Sequence, residues 1–278
     1  MAVAYGSQPG RRGTDSPREG EAGGLYVTRD AVPRRAYLKP RKREHGPFGC
    51  RAAREKIVAD LARDLGVAVP PVLLFVRHDA PQGEETSCCV SLVLYGRQFP
   101  WHQIKRWVED PTQSERIMEL VMRDLPVSAA RALVLNAWVM QSEHGDHPHN
   151  IVFGLDSDGG PHFVYLDYAL ALGHRFVDDP HFRALGWRRW KDEEGWKAPV
   201  TVPFPPLMLQ HVSRSEVDAT LSRVEDFPEG EVQAVVGRIP GDYLHEQERD
   251  ILIAGLVGRR RLIRAPLERQ LMGSGGGT

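Results

Sequence analysis

The pattern of apolar and polar positions divides the chain into a strand-rich first part and a helix-rich second part. Short β-prone runs at residues 25–28 and 35–39 flank a turn and predict a hairpin. Apolar residues then recur every three or four positions across 51–65, which predicts a helix. Further strands are predicted at 67–76 and 88–95. The predicted order of the first part is therefore strand, strand, helix, strand, strand.

The second part of the chain is predicted to be mainly helical, with one hairpin in its middle. Apolar residues at helical spacing predict helices at 114–123, 128–141 and 246–263. Apolar runs at 151–153 and 163–166 flank the turn-forming sequence Asp-Ser-Asp-Gly-Gly, which is the strongest hairpin signal in the chain. The whole pattern predicts an α+β protein, with a small antiparallel sheet and one helix followed by a mainly helical part.

Composition sets the limits of the folded part and excludes some functions. Residues 1–22 are rich in Gly, Arg, Ser, Pro and Glu, and the segment 269–278 ends in a glycine-rich run, so both are predicted to be flexible tails. The formal net charge of −1 provides no field that would attract nucleic acid. No apolar run approaches the roughly 20 residues of a membrane span. The chain has three cysteines and no apolar secretory signal. We therefore expect a cytoplasmic protein with no nucleic-acid partner and no stable membrane insertion; its oligomeric state is left open.

The candidate chemistry is concentrated in the sequence Glu-His-Gly-Asp-His-Pro-His-Asn at residues 143–150. This segment follows a predicted helix and precedes the predicted hairpin, which ends at Asp167. Phosphoryl transfer needs a carboxylate near the attacking hydroxyl, and two oxygen ligands that hold magnesium against the phosphates. Asp146 can provide the carboxylate. Asn150 and Asp167 can provide the ligands, because an antiparallel hairpin brings them to the same end.

Four further residues are candidates for a phosphate-binding site. Lys39 ends a predicted strand, and Glu55 lies in the helix that follows it. A strand lysine held by a helix glutamate is an arrangement that orients a cation onto the α- and β-phosphates of ATP. The pair Gly23 and Gly24 precedes the first predicted strand, where glycine lets backbone N–H groups approach phosphate closely.

A different chemistry is compatible with the same histidine-rich segment. His144, Asp146, His147 and His149 are all possible ligands of a transition metal, as in metal-dependent hydrolases. This alternative leaves Lys39 without a role, and the sequence offers no second cluster to complete the coordination shell. It remains the less favoured hypothesis.

These motifs resemble the HipA-like and phosphatidylinositol 3-/4-kinase-like branch of the kinase superfamily, across much of residues 23–264. The sequence Gly-Gly-Leu-Tyr at 23–26 and the sequence Ala-Tyr-Leu-Lys-Pro at 36–40 are similar to that branch's phosphate loop and lysine strand. Arg-Glu at 54–55 and Leu-Gly-Val-Ala-Val-Pro at 65–70 resemble its helix and the exit from it. Leu-Asp-Tyr-Ala-Leu-Ala-Leu at 166–172 resembles its metal-binding segment, and 256–262 its closing helix.

The resemblance implies a bilobal protein-kinase-like fold, with an N-lobe at 23–98 and a C-lobe at 99–268. ATP would bind between the lobes with Mg²⁺, and its γ-phosphoryl group would pass to a hydroxyl of a protein Ser/Thr or a small molecule. Lys39 would bind the phosphates near Gly23 and Gly24, and Glu55 would orient it. Asp146 would orient or deprotonate the acceptor, while the metal ligands would be Asn150 and Asp167.

The chain departs from the family pattern at one place. Asp146 and Asn150 are four positions apart, whereas the family's usual gap is five. The shorter gap leaves open a second function, in which the protein is a pseudokinase that binds nucleotide without turnover.

Overall fold

The computed structural model describes residues 25–26, 36–40, 51–76, 87–92, 97–110, 115–141, 143–155, 161–172, 191–192, 195–196 and 201–274. Its strands are β1 (Leu25–Tyr26), β2 (Ala36–Pro40), β3 (Val72–Val76), β4 (Ser87–Leu92), β5 (Arg97–Pro100), β6 (Ile151–Leu155), β7 (Pro161–Tyr165), β8 (Lys191–Asp192) and β9 (Gly195–Trp196). Its helices are α1 (Arg51–Leu65), α2 (Trp101–Glu109), α3 (Glu115–Val139), α4 (Glu143–Asp146), α5 (Pro206–His211), α6 (Arg214–Glu225), α7 (Glu229–Gly237), α8 (Glu246–Arg259) and α9 (Arg264–Ser274), with a 3-10 turn at Pro148–Asn150.

The strands form small antiparallel sheets. The first sheet has the order β1-β2-β4-β3, the second has the order β5-β6-β7, and β8 pairs with β9. Helix α1 packs against the first sheet through a face that includes Ile57, Val58 and Leu61, all fully buried. The rest of the described chain is mostly helical. The predicted α+β class is therefore confirmed at this coarse level.

The strand predicted at 67–76 begins five residues later, at Val72. Pro70 and Pro71 have no N–H to donate to a sheet, which prevents an earlier start. The preceding carbonyl of Ala68 instead accepts a hydrogen bond from the Tyr165 N–H of β7, at 3.0 Å. The segment that leaves α1 is thereby attached to the second sheet.

The two helices predicted at 114–123 and 128–141 are one continuous helix, α3, of 25 residues. Pro126 lies inside it, where a proline removes one backbone hydrogen bond and usually bends the helix. The apolar face nevertheless continues across the proline, because Val121, Leu125 and Ala129 are all buried. The burial of one long apolar face therefore stabilises a continuous helix more than Pro126 destabilises it.

Further differences concern elements that the pattern did not predict and the ends of the last helices. Strand β5 and helix α2 were not predicted, although Trp101, Ile104 and Trp107 give α2 a buried face. The helix predicted at 246–263 ends at Arg259. Helix α9 extends to Ser274, and its Leu271 is buried, so the C-terminal tail predicted from residue 269 starts too early. The N-terminal tail predicted at 1–22 lies outside the described residues.

Within the described part of the chain, no helix combines the length and the apolar character needed to cross a membrane.

Candidate active site

The β6–β7 hairpin brings Asn150 and Asp167 together at one end. Ile151 pairs with Tyr165 in the register of the two strands. One residue further out, the Leu166 N–H donates to the Asn150 carbonyl at 2.7 Å. Asp167 therefore follows directly on a residue that is hydrogen-bonded to Asn150. Both residues are partly exposed.

Asp146 is the last residue of the short helix α4, and its side chain is exposed. The chain between Asp146 and Asn150 is wound tightly rather than extended. The His147 N–H donates to the Glu143 carbonyl at 2.6 Å, and the Asn150 N–H donates to the His147 carbonyl at 3.0 Å. The four-residue gap between Asp146 and Asn150 is thus spanned by the end of a helix and a 3-10 turn.

Asp167 has a left-handed backbone conformation, with φ of 56°. Few non-glycine residues adopt this conformation, although aspartate tolerates it better than most. The carbonyl oxygen of Asp167 accepts a hydrogen bond of 2.8 Å from the side-chain amide of Gln141. Gln141 is fully buried just after the end of α3. The end of α3 is therefore in direct contact with the residue predicted to bind metal.

His144 is fully buried beneath this site, and both of its ring nitrogens form hydrogen bonds. Its Nδ1 lies 3.0 Å from the amide nitrogen of Asn136, and its Nε2 lies 2.9 Å from the carbonyl oxygen of Leu166. The hydroxyl of Tyr168 donates to the amide oxygen of Asn136 at 3.1 Å. This assigns the Asn136 nitrogen as donor, so Nδ1 of His144 accepts and Nε2–H donates. Burial lowers the pKa of His144 to about 4, and the ring is neutral at physiological pH.

This hydrogen-bond arrangement counts against the metal-hydrolase hypothesis. A histidine with both ring nitrogens engaged in hydrogen bonds offers no lone pair to a metal. His147 and His149 are exposed, and their ring centroids lie 5.4 Å apart. Among the residues that the structure describes, no three His, Cys, Asp or Glu side chains are grouped so that they could hold a metal ion.

Gly145 lies against the segment that precedes α5. A Cβ atom at this position would be 2.9 Å from the Cβ of Pro203 and 3.1 Å from the backbone nitrogen of Phe204. Phe204 is itself buried and stacks with Tyr165 at a centroid distance of 6.4 Å. Only glycine therefore fits between His144 and Asp146 without displacing a neighbour.

Lys39 and Glu55 lie in neighbouring elements of the first part of the chain. Lys39 is in β2, directly opposite Cys89 of β4. Cys89 is buried in the core to which α1 also contributes. Glu55 is buried within α1, at 5% exposure. Helix α1, which contains Glu55, packs against β3 and β4 of the sheet that also contains β2 and Lys39. Gly23 and Gly24 lie outside the described residues.

The sequence did not predict the buried polar residues that support the site. Gln141, Asn136 and Tyr168 were interpreted only as parts of a helix or of the metal-binding segment. A signal for Asn136 was nevertheless present, because it is a polar residue inside the apolar run 133–139. Such a residue at a buried helix position requires a hydrogen-bond partner.

The residues at the hairpin end fit the magnesium ion that the sequence implies. Mg²⁺ prefers oxygen ligands, and it is usually bound through one or two carboxylates together with phosphates and water. Asn150 offers an amide oxygen and Asp167 a carboxylate, on residues that the hydrogen bond from Leu166 to Asn150 keeps adjacent. Neither residue is fully buried.

The fold is similar to that of two solved bacterial proteins. The crystal structure of a Helicobacter pylori proinflammatory kinase, CtkA, matches with a TM-score of 0.58 at 11% identity, covering 96% of this chain and 97% of that one. HipA from the Shewanella oneidensis MR-1 toxin–antitoxin complex of HipA, HipB and operator DNA matches with a TM-score of 0.50 at 13% identity, covering 95% of this chain and 69% of that one. No protein-family model matches the chain, and no curated protein matches it significantly.

These likenesses define the class of fold. At such low identity they show the fold alone, and that fold is kinase-like over nearly the whole chain. This agrees with the HipA-like half of the resemblance noted in the sequence. The phosphatidylinositol 3-/4-kinase-like half, the lobe boundaries at 23–98 and 99–268, and the roles of the individual site residues stay predictions.

Proposed function

We propose that the protein is an ATP- and Mg²⁺-dependent phosphotransferase that moves the γ-phosphoryl group to a hydroxyl acceptor. The observation that supports this most strongly is the pairing of Asn150 with the residue before Asp167, one turn from Asp146, in a kinase-like fold. Phosphoryl transfer depends on positioning and on charge stabilisation, and these residues supply both kinds of group. The acceptor is the hydroxyl of a protein Ser/Thr or of a small molecule, in the cytoplasm.

Each site residue has a distinct role in this proposal. Lys39 binds the α- and β-phosphates, and Glu55 holds its ammonium in place from α1. Asn150 and Asp167 hold magnesium, which neutralises the charge that develops on the transferred phosphoryl group. Asp146 orients the acceptor hydroxyl and takes its proton. Its exposure allows an acceptor to approach from solvent.

The test of this site is nucleotide binding measured by calorimetry, with and without Mg²⁺. Wild type should bind ATP more tightly with Mg²⁺. Asp167→Ala should lose the Mg²⁺-dependent gain, and Lys39→Ala should weaken binding under both conditions. Asp250→Ala removes an exposed carboxylate from α8 and serves as the control. Wild type that binds no ATP, or binding that neither site variant changes, would contradict the proposal.

A nucleotide-binding pseudokinase is the second candidate, because Asp146 and Asn150 are only four positions apart. This function requires the same Mg²⁺-dependent binding of ATP but no transfer. The two candidates therefore differ in one observable. With Asp146 intact, a kinase transfers phosphate to an acceptor and a pseudokinase does not.

A further inference from the structure

The segment 167–172 is hydrogen-bonded at both of its ends to the last residues of α3 and those just after it. Gln141, two residues after the end of α3, donates from its buried side-chain amide to the Asp167 carbonyl at 2.8 Å. The Val139 carbonyl of α3 accepts a hydrogen bond of 2.7 Å from the Leu172 N–H. The segment 167–172 thus begins at a hydrogen bond from Gln141 and ends at one to Val139.

Both ends of this segment have an unfavourable backbone conformation. Asp167 has φ of 56° and Leu172 has φ of 59°, and leucine is a poor residue for positive φ. Such conformations persist only where the surrounding contacts impose them, and they are frequent at functional sites. A residue that relaxes out of the left-handed region redirects its side chain relative to its neighbours. The hydrogen bond from Gln141 to the Asp167 carbonyl is a contact that can impose this conformation.

Gln141 is well suited to impose this conformation. It is fully buried, so its amide is not exchanged for water, and its own N–H is bonded to the Asn136 carbonyl at 2.9 Å. Leaving a buried amide without a hydrogen-bond partner costs free energy. The hydrogen bond to Asp167 therefore favours the one backbone arrangement in which it can form. The contact joins the helix end, whose position is set by the protein core, to the metal-binding residue of the proposed site.

We propose that Gln141 is a positioning residue: its side-chain amide holds Asp167 in the left-handed conformation that directs the carboxylate to magnesium. The inference rests on the proposed function, because it takes Asp167 as a metal ligand. Gln141 acts through Asp167 and does not itself bind the metal. Loss of the amide donor weakens metal binding while the rest of the nucleotide site is kept.

The metal-binding test compares wild type, Gln141→Met and Trp138→Phe. Methionine keeps the length of the side chain and removes its donor. Trp138→Phe is the matched control, since it removes another buried donor of the end of α3, bonded at 2.8 Å to the Leu256 carbonyl of α8. Binding of Mn²⁺·ATP is measured by electron paramagnetic resonance, and binding of ATP without metal by calorimetry. We expect Gln141→Met to bind Mn²⁺·ATP roughly tenfold more weakly than wild type, which corresponds to the loss of one hydrogen bond. Binding of ATP without metal should be unchanged.

A second measurement needs neither metal nor nucleotide. Amide hydrogen exchange is followed at Ala171 and Leu172, whose N–H groups bond to Tyr168 and Val139. We expect faster exchange at both amides in Gln141→Met and wild-type rates there in Trp138→Phe. Gln141→Leu replaces Gln141→Met in both measurements if the methionine variant does not fold.

The outcomes separate this inference from the proposed function. Wild type that binds Mn²⁺·ATP, together with a Gln141→Met variant that binds it equally well, overturns the positioning role alone. If Gln141→Met and Trp138→Phe weaken Mn²⁺·ATP binding equally, the positioning role is also overturned, because the effect would then be a general loss of stability. Wild type that binds no Mn²⁺·ATP overturns the proposed function. If, in that case, amide exchange at Ala171 and Leu172 is also the same in Gln141→Met as in wild type, Gln141 does not stabilise the segment either.

Discussion

His144 and Asn136 illustrate how polar residues support the site from within the core. Both are fully buried, and each is hydrogen-bonded on two sides, in a chain that runs from Tyr168 to the Leu166 carbonyl. A buried polar group without partners would cost about 1–3 kcal/mol, so this chain stabilises one arrangement of the hairpin end. His144 is therefore structural, although its sequence neighbours are candidates for catalysis.

The buried neutral His144 predicts a loss of stability in mild acid. Burial lowers its folded-state pKa to about 4, against 6.5 in the unfolded chain. Between these values the unfolded state binds a proton that the folded state does not, so stability falls as pH falls from about 6.5 towards 4. We expect this residue to contribute a loss of about 2 kcal/mol between pH 7 and pH 5.

Urea unfolding at the two pH values measures this loss. His144→Gln removes the titrating group and should show a change in unfolding free energy smaller by about that amount. His149→Gln, at an exposed position of the same segment, is the control and should keep the wild-type change. A His144→Gln variant with the full wild-type pH dependence would contradict the account.

At the scale of elements, helix α4 is held between the hairpin and the segment before α5. Gly145 makes this approach possible, because a side chain there would meet Pro203. The same segment is fixed from α9: Gln270 donates to the Val202 carbonyl and accepts from the Val202 N–H, both at 2.8 Å. The position of Asp146 at the end of α4 thus depends on residues far away in the sequence.

Gly145→Ala should therefore destabilise the protein and displace α4. The added Cβ would lie 2.9 Å from the Cβ of Pro203, and overpacking of this kind costs about 1–3 kcal/mol. Gly241→Ala is the matched control, since a Cβ at Gly241 has no neighbour within 4 Å. Chemical unfolding of both variants measures the difference. A Gly145→Ala variant as stable as Gly241→Ala would show that the packing against Pro203 is loose.

The sequence was sufficient for those elements in which local pattern and burial agree. The hairpin at 151–166 was predictable because strand residues and turn residues point to one structure, and this alone implied that Asn150 and Asp167 are neighbours. Helix α3 was predicted in two pieces, because Pro126 is a local signal whereas the buried face that overrides it is a tertiary one. Gln141 could not have been found, since its role comes from a hydrogen bond to a residue 26 positions away.

At the scale of the whole molecule, α1 is attached to the helical part of the chain at several points. Arg131 of α3 donates to Glu216 of α6 at 2.6 Å and to the carbonyl of Gly66, which follows α1, at 3.4 Å. Asp60 of α1 lies 3.8 Å from Arg238, which follows α7. These contacts, and the bond from Tyr165 to Ala68, connect the helix that contains Glu55 to the strand that leads to Asp167. The helix that contains Glu55 and the strand that precedes Asp167 are therefore connected by one continuous set of contacts.

Transfer of labelled γ-phosphate from ATP by wild type and by Asp146→Asn tests the central claim most directly, with Asp250→Asn as the exposed control. Incorporation of labelled phosphate is measured, in the presence of Mg²⁺, for three kinds of acceptor: the protein itself, a mixture of protein substrates, and small-molecule alcohols. We expect transfer by wild type and by Asp250→Asn, and a loss of at least about 100-fold in Asp146→Asn, with Mg²⁺·ATP binding retained. Transfer that survives Asp146→Asn unchanged, or wild type that binds Mg²⁺·ATP and phosphorylates none of these acceptors, would contradict a kinase built on this site.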